Sequence, residues 1–254
     1  MDGHKVETLT KESEVARGGF ASKGLYLLPS LFTLSALFFG FYAVICASQS
    51  AFLSASMAIV YAMIMDGLDG RVARLTRTQT QFGAELDSLS DMVSFGVAPA
   101  FLMHAWCLQA HGQLGSVVAF VYAAAVALRL ARFNSQQGGC DDFSGAPCPI
   151  PAACLASFVW FSETHTFNWL PWLNDRSFLL VVMPLLALLM ISSCRYPSFK
   201  TRNKPMTNSF LLVVFLVTFI ACFAMEPAAT LLLSSVIYIC LGPLLSLGQY
   251  FFKA

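Results

Sequence analysis

Forty-two consecutive residues, Gly24–Met65, contain no Asp, Glu, Lys or Arg. A helix needs roughly 20 apolar residues to cross a bilayer. A gap of this length therefore holds two crossings joined by a tight turn, expected near Ala47–Ser50. The other charge-free gaps convert in the same way. Met92–Leu128 spans 37 residues and fits two crossings with a turn near His111–Leu114. Phe143–Ser162, Ser177–Cys194, Pro205–Met225 and Pro227–Phe252 span 20, 18, 21 and 26 residues, and each fits one. The expected fold class is an all-α polytopic membrane protein with eight spans.

The basic residues offer an independent check, because cytoplasmic loops carry the excess of Lys and Arg. Lys5, Lys11, Arg17 and Lys23 precede the first span, and Arg71, Arg74 and Arg77 follow the second. Arg129 and Arg132 follow the fourth, Arg195, Lys200, Arg202 and Lys204 the sixth, and Lys253 ends the chain. The intervening turns carry little or no Lys or Arg; Arg176 stands beside Glu163 and Asp175. Basic residues at every second turn place both termini in the cytosol. Composition agrees: 11% of residues are charged and 57% hydrophobic, against about 25% charged in a soluble domain. Net charge is +1, and no nucleic-acid partner is expected. Residues 1–23 read as a polar cytosolic tail without a cleavable signal, 24–204 as a six-span core, and 205–254 as a two-span hairpin added to it.

Between the second and third spans lies Asp66–Asp91, DGLDGRVARLTRTQTQFGAELDSLSD, with eight of the chain's 29 Asp, Glu, Lys and Arg residues. Helical residues at i, i+3 and i, i+4 share a face. Asp66 and Asp69 are thus expected side by side at the end of span two, and Asp87 and Asp91 at the start of span three. The stretch Leu75–Phe82, with Thr76, Thr78, Gln79 and Thr80, suits a short turn that brings the two acidic faces together. Ionised carboxylates beside lipid are costly unless paired or metal-bound. Four oxygen donors without His or Cys favour Mg²⁺ or Mn²⁺ over zinc. Two such ions about 3.5–4 Å apart make a phosphoryl-transfer centre. Gly67 and Gly70 leave the backbone open to a ligand, Gly83 suits a close helix contact, and Arg74 can take a phosphate. The competing account is an acidic helix end solvated by water and balanced by Arg71, Arg74 and Arg77.

Other features carry less chemistry. The eight cysteines are scattered, with no CxxC pair, as small packing residues would be. His104, His111 and His165 fall on the side away from the aspartates, where surface or interface roles are expected. Ser162, Glu163 and His165 lack a nucleophile elbow. Trp160, Trp169 and Trp172 suit an interfacial aromatic belt. Pro29, Pro99, Pro149 and Pro151 are placed to start or kink helices.

The acidic segment resembles the signature of the CDP-alcohol phosphatidyltransferase family, D-x2-D-G-x2-A-R-x8-G-x3-D-x3-D. It runs without mismatch through Asp66, Asp69, Gly70, Ala73, Arg74, Gly83, Asp87 and Asp91. Three flanking stretches are similar to the serine-accepting, integral-membrane bacterial branch: Asp91–Ala100, Leu128–Asn134 and Arg195–Lys200. So is the Phe143-Ser144-Gly145-Ala146-Pro147-x-Pro149 segment. The first span of the family often starts Pro-Asn-x-x-Thr, whereas this chain has Ser30 in the Asn position, followed by Thr33.

The resemblance implies a six-helix core with its site at the cytosolic face of the inner membrane. It implies transfer of the phosphatidyl group of CDP-diacylglycerol to L-serine, giving phosphatidylserine and CMP. By the same resemblance, Asp66, Asp69, Asp87 and Asp91 hold two Mg²⁺ or Mn²⁺ ions, and Asp91 is also the general base. Asp69, Gly70, Arg74 and Thr80, with Ser30 and Thr33, hold the CDP-diacylglycerol. The family often forms homodimers. Arg129, Arg132, Arg195 and Lys200 are candidates for the acceptor or the transferred phosphate, since Arg suits both carboxylate and phosphate. Charges that merely anchor helix ends to anionic lipid would look the same. Two alternatives stay open: the same chemistry on glycerol-3-phosphate or inositol, and a divalent-cation transporter without catalysis.

Overall fold

In the first helix, the small residues face inward and the large ones outward. The computed structural model describes residues 30–76, 80–135, 145–165, 176–192 and 209–253. Helix α1 (Ser30–Ser48) buries Thr33, Ala36, Gly40, Ala43, Cys46 and Ala47 and exposes Leu31, Leu34, Phe38, Phe41, Tyr42 and Ile45. A soluble helix would show the reverse. In lipid, large apolar side chains lose nothing by facing outward, and small residues let helix backbones approach. Helix α2 (Phe52–Thr76) follows the same rule with Ala55, Ser56, Ala58 and Ala62 inside and Leu53, Tyr61, Ile64 and Leu68 outside.

The remaining helices are α3 (Gln81–Asp91), α4 (Ala98–Trp106), α5 (Gly112–Ser135), α6 (Pro149–Thr164), α7 (Leu179–Ile191), α8 (Ser209–Met225) and α9 (Pro227–Lys253). No strand occurs among the described residues. The all-helical expectation therefore holds. Helix α2 packs on α6, α5 on α7, and α9 on both α6 and α8. Among the described residues, four helical stretches are long and apolar enough to cross a membrane: Ser30–Ser48, Phe52–Thr76, Leu108–Ser135 and Pro227–Leu244. Arg176–Ile191 and Leu216–Met225 are apolar but shorter.

The turn expected near Ala47–Ser50 is present. Ser50 adopts φ 59°, and the amide of Ala51 donates to the carbonyl of Cys46 at 2.9 Å, closing the helix with a left-handed residue. The next turn comes earlier than expected, over Cys107–Gly112 rather than His111–Leu114. It ends at Gly112, whose φ of 58° suits a residue without Cβ. Helix α2 also outruns the expectation that Asp66 and Asp69 end it: it continues to Thr76. Ala73, Arg74 and Leu75 are strong helix formers that offset Gly67 and Gly70. The hydroxyl of Thr76 folds back onto the Val72 carbonyl at 2.8 Å.

Between α3 and α4 the chain makes one π-helical stretch, Met92–Val97. Its cause is local. Pro99 has no N–H and crowds the carbonyl four residues back, which belongs to Phe95. The ladder slips by one residue, so the Ala98 amide donates to Val93. The fully buried Tyr122 hydroxyl donates to the Phe95 carbonyl at 3.2 Å. Ser90 and Ser94 donate to the carbonyls of Thr33 and Ala36, each at 3.0 Å. Helix α1 is thereby stapled to the helix that ends in Asp91. Gly40 permits this approach: a Cβ there would lie 2.7 Å from the Ser94 Cα.

Tyr122→Phe should leave the Phe95 carbonyl without a donor and destabilise the fold by about 1 kcal/mol. The same change in a Pro99→Ala background, where residue 99 regains its amide, should cost measurably less. Unfolding in detergent at graded denaturant, over the two single variants and the double, tests this; equal losses in both backgrounds would separate Tyr122 from the π-helical stretch.

Candidate active site

Helices α2 and α3 meet so that one carboxylate oxygen from each of Asp66, Asp87 and Asp91 lies within 4.8 Å of the others. All three side chains are half-buried. Asp66 comes from α2, and Asp87 and Asp91 from one face of α3 at i, i+4. Asp66 shares hydrogen bonds with both. On α3, burial and the charges of Asp66 and Asp69 push the Asp87 carboxyl up to about 7. Burial and the charges of Asp66 and Asp87 push Asp91 up to about 9, while the Arg129 guanidinium pulls it down. The set offers only carboxylate oxygens, which fits a hard divalent cation.

Asp69 is not part of this group. It is buried on the α1 side of α2 and accepts a hydrogen bond from the hydroxyl of Thr33, itself buried. The structure thus separates the fourth aspartate from the three and pairs it with α1. Ser30 is the first helical residue of α1. Nothing stands within 4 Å of where a Cβ would sit on Gly67 or Gly70, so the backbone beside the acids is open. Arg74 folds along its own helix, with Nε donating to the Gly70 carbonyl at 2.7 Å. Thr80 caps α3 by accepting from the Gly83 amide at 3.0 Å. Gly83, expected at a helix contact, meets only that hydroxyl.

Among the expected acceptor cations, Arg129 and Arg132 lie one turn apart on α5. Arg132 is exposed and Arg129 half-buried. Arg129 Nη1 donates to the sulfur of Cys148 at 3.0 Å, and its buried Nε meets no acceptor among the described residues. Tyr238 of α9 also feels this guanidinium. Arg195 and Lys200 lie outside the described residues. Sequence reasoning missed Cys148, Tyr238 and Asn134. Asn134 exchanges hydrogen bonds with Ser88, Nδ2 donating to Oγ at 3.0 Å, and so ties α5 to the acidic face of α3. Asn134 belongs to the Leu128–Asn134 stretch, but its partner lies 46 residues away and no spacing marks it.

At the other end of the bundle, Trp106 Nε1 donates to Glu163 at 2.7 Å. The guanidinium of Arg176 sits 3.7 Å above the Trp106 ring, and His111 pairs with Ser177 at 3.2 Å. These contacts join helix ends, in keeping with the interface role expected for His111. His104 pairs with Ser116 at 3.1 Å and His165 with Glu226 at 3.7 Å. Trp160 is half-buried against the core, whereas Trp169 and Trp172 are not among the described residues.

An acidic cluster on two helices of an apolar bundle marks an integral membrane protein whose carboxylates could hold a divalent cation. The sequence model of the CDP-alcohol phosphatidyltransferase family matches residues 26–192, and the chain belongs to that family. It is 38% identical over 192 residues to the CDP-diacylglycerol–serine O-phosphatidyltransferase of Helicobacter pylori (strain ATCC 700392 / 26695), covering 76% of this chain and 81% of the relative. The protein of the same name from Methanocaldococcus jannaschii is 37% identical over 153 residues, 60% of this chain and 68% of the relative. The archaetidylserine synthase of Methanothermobacter thermautotrophicus is 32% identical over 175 residues, 67% and 69% of the two chains.

Raised carboxyls hold protons that an incoming cation must displace. Mn²⁺ binding should therefore release protons, and its apparent affinity should climb by up to about tenfold per pH unit for each proton displaced, through the range from about 7 to about 9 set by Asp87 and Asp91. Calorimetry at pH 6.5 and 8.5, in buffers of different ionisation enthalpy, reads this directly. A pH-independent affinity without proton release would place the ion elsewhere.

Proposed function

We propose that this protein transfers the phosphatidyl group of CDP-diacylglycerol to the hydroxyl of L-serine, releasing CMP. The observation that carries this is the convergence of Asp66, Asp87 and Asp91 from two helices, in a chain whose relatives are named for that reaction. The serine oxygen attacks the phosphorus that bears diacylglycerol, the bond from that phosphorus to the CMP oxygen breaks, and CMP departs with the bond's electrons. A serine hydroxyl is a weak nucleophile and needs its proton accepted as the new bond forms. Asp91 takes it. The carboxylates of Asp66, Asp87 and Asp91, with Asp69 alongside, hold two Mg²⁺ or Mn²⁺ ions, which would neutralise the pyrophosphate and the charge left on CMP.

The open backbone at Gly67 and Gly70 supports docking of the CDP moiety beside Asp69, Gly70, Arg74 and Thr80, with Ser30 and Thr33 across from them on α1. Arg74 and Thr80, which satisfy local backbone groups in the structure, turn to the nucleotide when it binds. Arg129, Arg132, Arg195 and Lys200 receive the serine carboxylate and the transferred phosphate. The chain crosses the bacterial inner membrane eight times, with residues 24–204 as the catalytic core and 205–254 as the added hairpin. Both termini and the acidic site lie on the cytosolic face, and two copies pair as a homodimer. Acceptor chemistry is the point at which glycerol-3-phosphate and inositol compete with serine, because the acidic centre serves all three equally.

Asp91→Asn should reduce turnover by at least about a hundredfold, the usual contribution of a positioned base, while CDP-diacylglycerol still binds. Near-normal turnover would remove Asp91 from the base role. Purified protein with Mn²⁺ and CDP-diacylglycerol should form labelled phosphatidylserine from labelled serine. Consumption of inositol or glycerol-3-phosphate instead of serine would refute the acceptor and leave the family intact.

A further inference from the structure

The guanidinium of Arg129 is held from one side only. Nη1 donates to Cys148 at 3.0 Å, and the buried Nε has no acceptor among the described residues. A buried donor left unpaired costs free energy, and native structures rarely keep one without a reason. The edge formed by Nε and Nη2 is the fork that grips a carboxylate or phosphate through two parallel hydrogen bonds. With Nη1 occupied by sulfur, that edge is left for something else. Helix α5, which carries Arg129, is tied to α3 through Asn134 and Ser88, and the charge of Arg129 acts on Asp91.

Cys148 is built to be a fixed acceptor. It is fully buried and stands between Pro147 and Pro149 at the cap of α6, where two proline rings restrict the backbone. The segment is anchored to the end of α7: the Ala146 amide donates to the Leu189 carbonyl at 3.4 Å. Gly145 adopts φ 91°, and a Cβ there would lie 3.1 Å from the Ser192 carbonyl oxygen and nearer still to that of Met190. The sulfur is thus set by α6 and α7 together, while Arg129 arrives from α5.

We propose that Cys148 is a positioning residue for the transfer reaction. Its sulfur takes Nη1 of Arg129 and turns the Nε–Nη2 edge toward the acidic centre, where that edge receives a substrate oxyanion. This rests on the placement of Arg129 at the acceptor or phosphate site. The oxyanion is the serine carboxylate or the transferred phosphate, and kinetics separates the two.

The test uses the full chain with saturating Mn²⁺, measuring kcat and the KM values for serine and CDP-diacylglycerol. Cys148→Ala should raise one KM about five- to tenfold, the loss expected for a charge-assisted hydrogen bond. A rise for serine identifies the carboxylate, and a rise for CDP-diacylglycerol the phosphate. Cys148→Ser restores an acceptor at the same place and should return that KM to within about twofold. Cys148→Ala should add nothing in an Arg129→Ala background. Cys148→Val fills the space left by the sulfur, with one methyl group to spare and no acceptor, and should repeat the Ala result, which supplies the comparison if Ala fails to fold. Equal effects of Ser and Ala would mean packing alone and overturn the proposal, as would additivity with Arg129→Ala. If Arg129→Ala changes neither KM, the assignment of Arg129 falls and this inference with it. If Arg129→Ala raises a KM that Cys148→Ala leaves alone, only the inference falls.

Discussion

Three carboxylates within 4.8 Å of one another repel, and the rest of the structure answers to that repulsion. Among the described residues no Lys or Arg forms an ion pair with Asp66, Asp87 or Asp91. Arg129 acts on Asp91 only at a distance. Compensation therefore comes from protons or from a bound cation. Protons on Asp87 and Asp91 relieve the repulsion, since burial and the neighbouring carboxylates push both carboxyls up. They do not suffice for catalysis, because a protonated carboxyl cannot act as a base. A divalent cation removes the protons and leaves the oxygens in place. The arrangement that makes the free carboxylates costly is one that a doubly charged ligand would relieve.

The helices must resist that repulsion, and the polar contacts that let them do so cluster around α3. Ser90 and Ser94 tie it to α1, and Ser88 ties it to Asn134 on α5. Tyr122 of α5 holds the π-helical stretch that follows Asp91. In a bilayer, hydrophobic burial gives little drive for helix association, so small residues and interhelical hydrogen bonds carry the packing. Asp91 is the last residue before the register slips. A π-helical stretch beside a functional group is a recurring device; here Pro99 and Tyr122 account for it without appeal to function.

The sequence made much of this legible, for a physical reason. Apolar helices follow from charge-free length, four of them long enough to cross a membrane among the described residues, and the convergence of Asp66, Asp87 and Asp91 follows from i, i+4 spacing and a short connection. What depended on contacts between distant residues was not legible. Spacing pairs Asp69 with Asp66, yet Thr33, 36 residues earlier, takes Asp69 out of the group of three. Leu75–Phe82 reads as a turn because it is polar, and the break between α2, which ends at Thr76, and α3, which starts at Gln81, falls inside it. Cys148 looked like packing because a thiol in an apolar run usually is; only the arrival of Arg129 from α5 gives it a partner.

The site therefore has two halves of different origin. The acidic half is local: one helix–turn–helix unit from Asp66 to Asp91 supplies all of it. The cationic half pairs Arg129 of α5 with Cys148 at the cap of α6, two elements separate from α2 and α3. Helix α9 lies beyond the 26–192 region matched by the family, yet it packs on α6, and the charge of Arg129 acts on its Tyr238. The acidic unit still takes support from outside, through Ser90 to α1 and Ser88 to Asn134 of α5. The environment of Arg129 changes with every element that reaches it. An acceptor that carries a carboxylate or a phosphate needs a cationic donor, which a group of carboxylates does not supply; a guanidinium such as that of Arg129 is the kind of group that would tell it from a neutral acceptor.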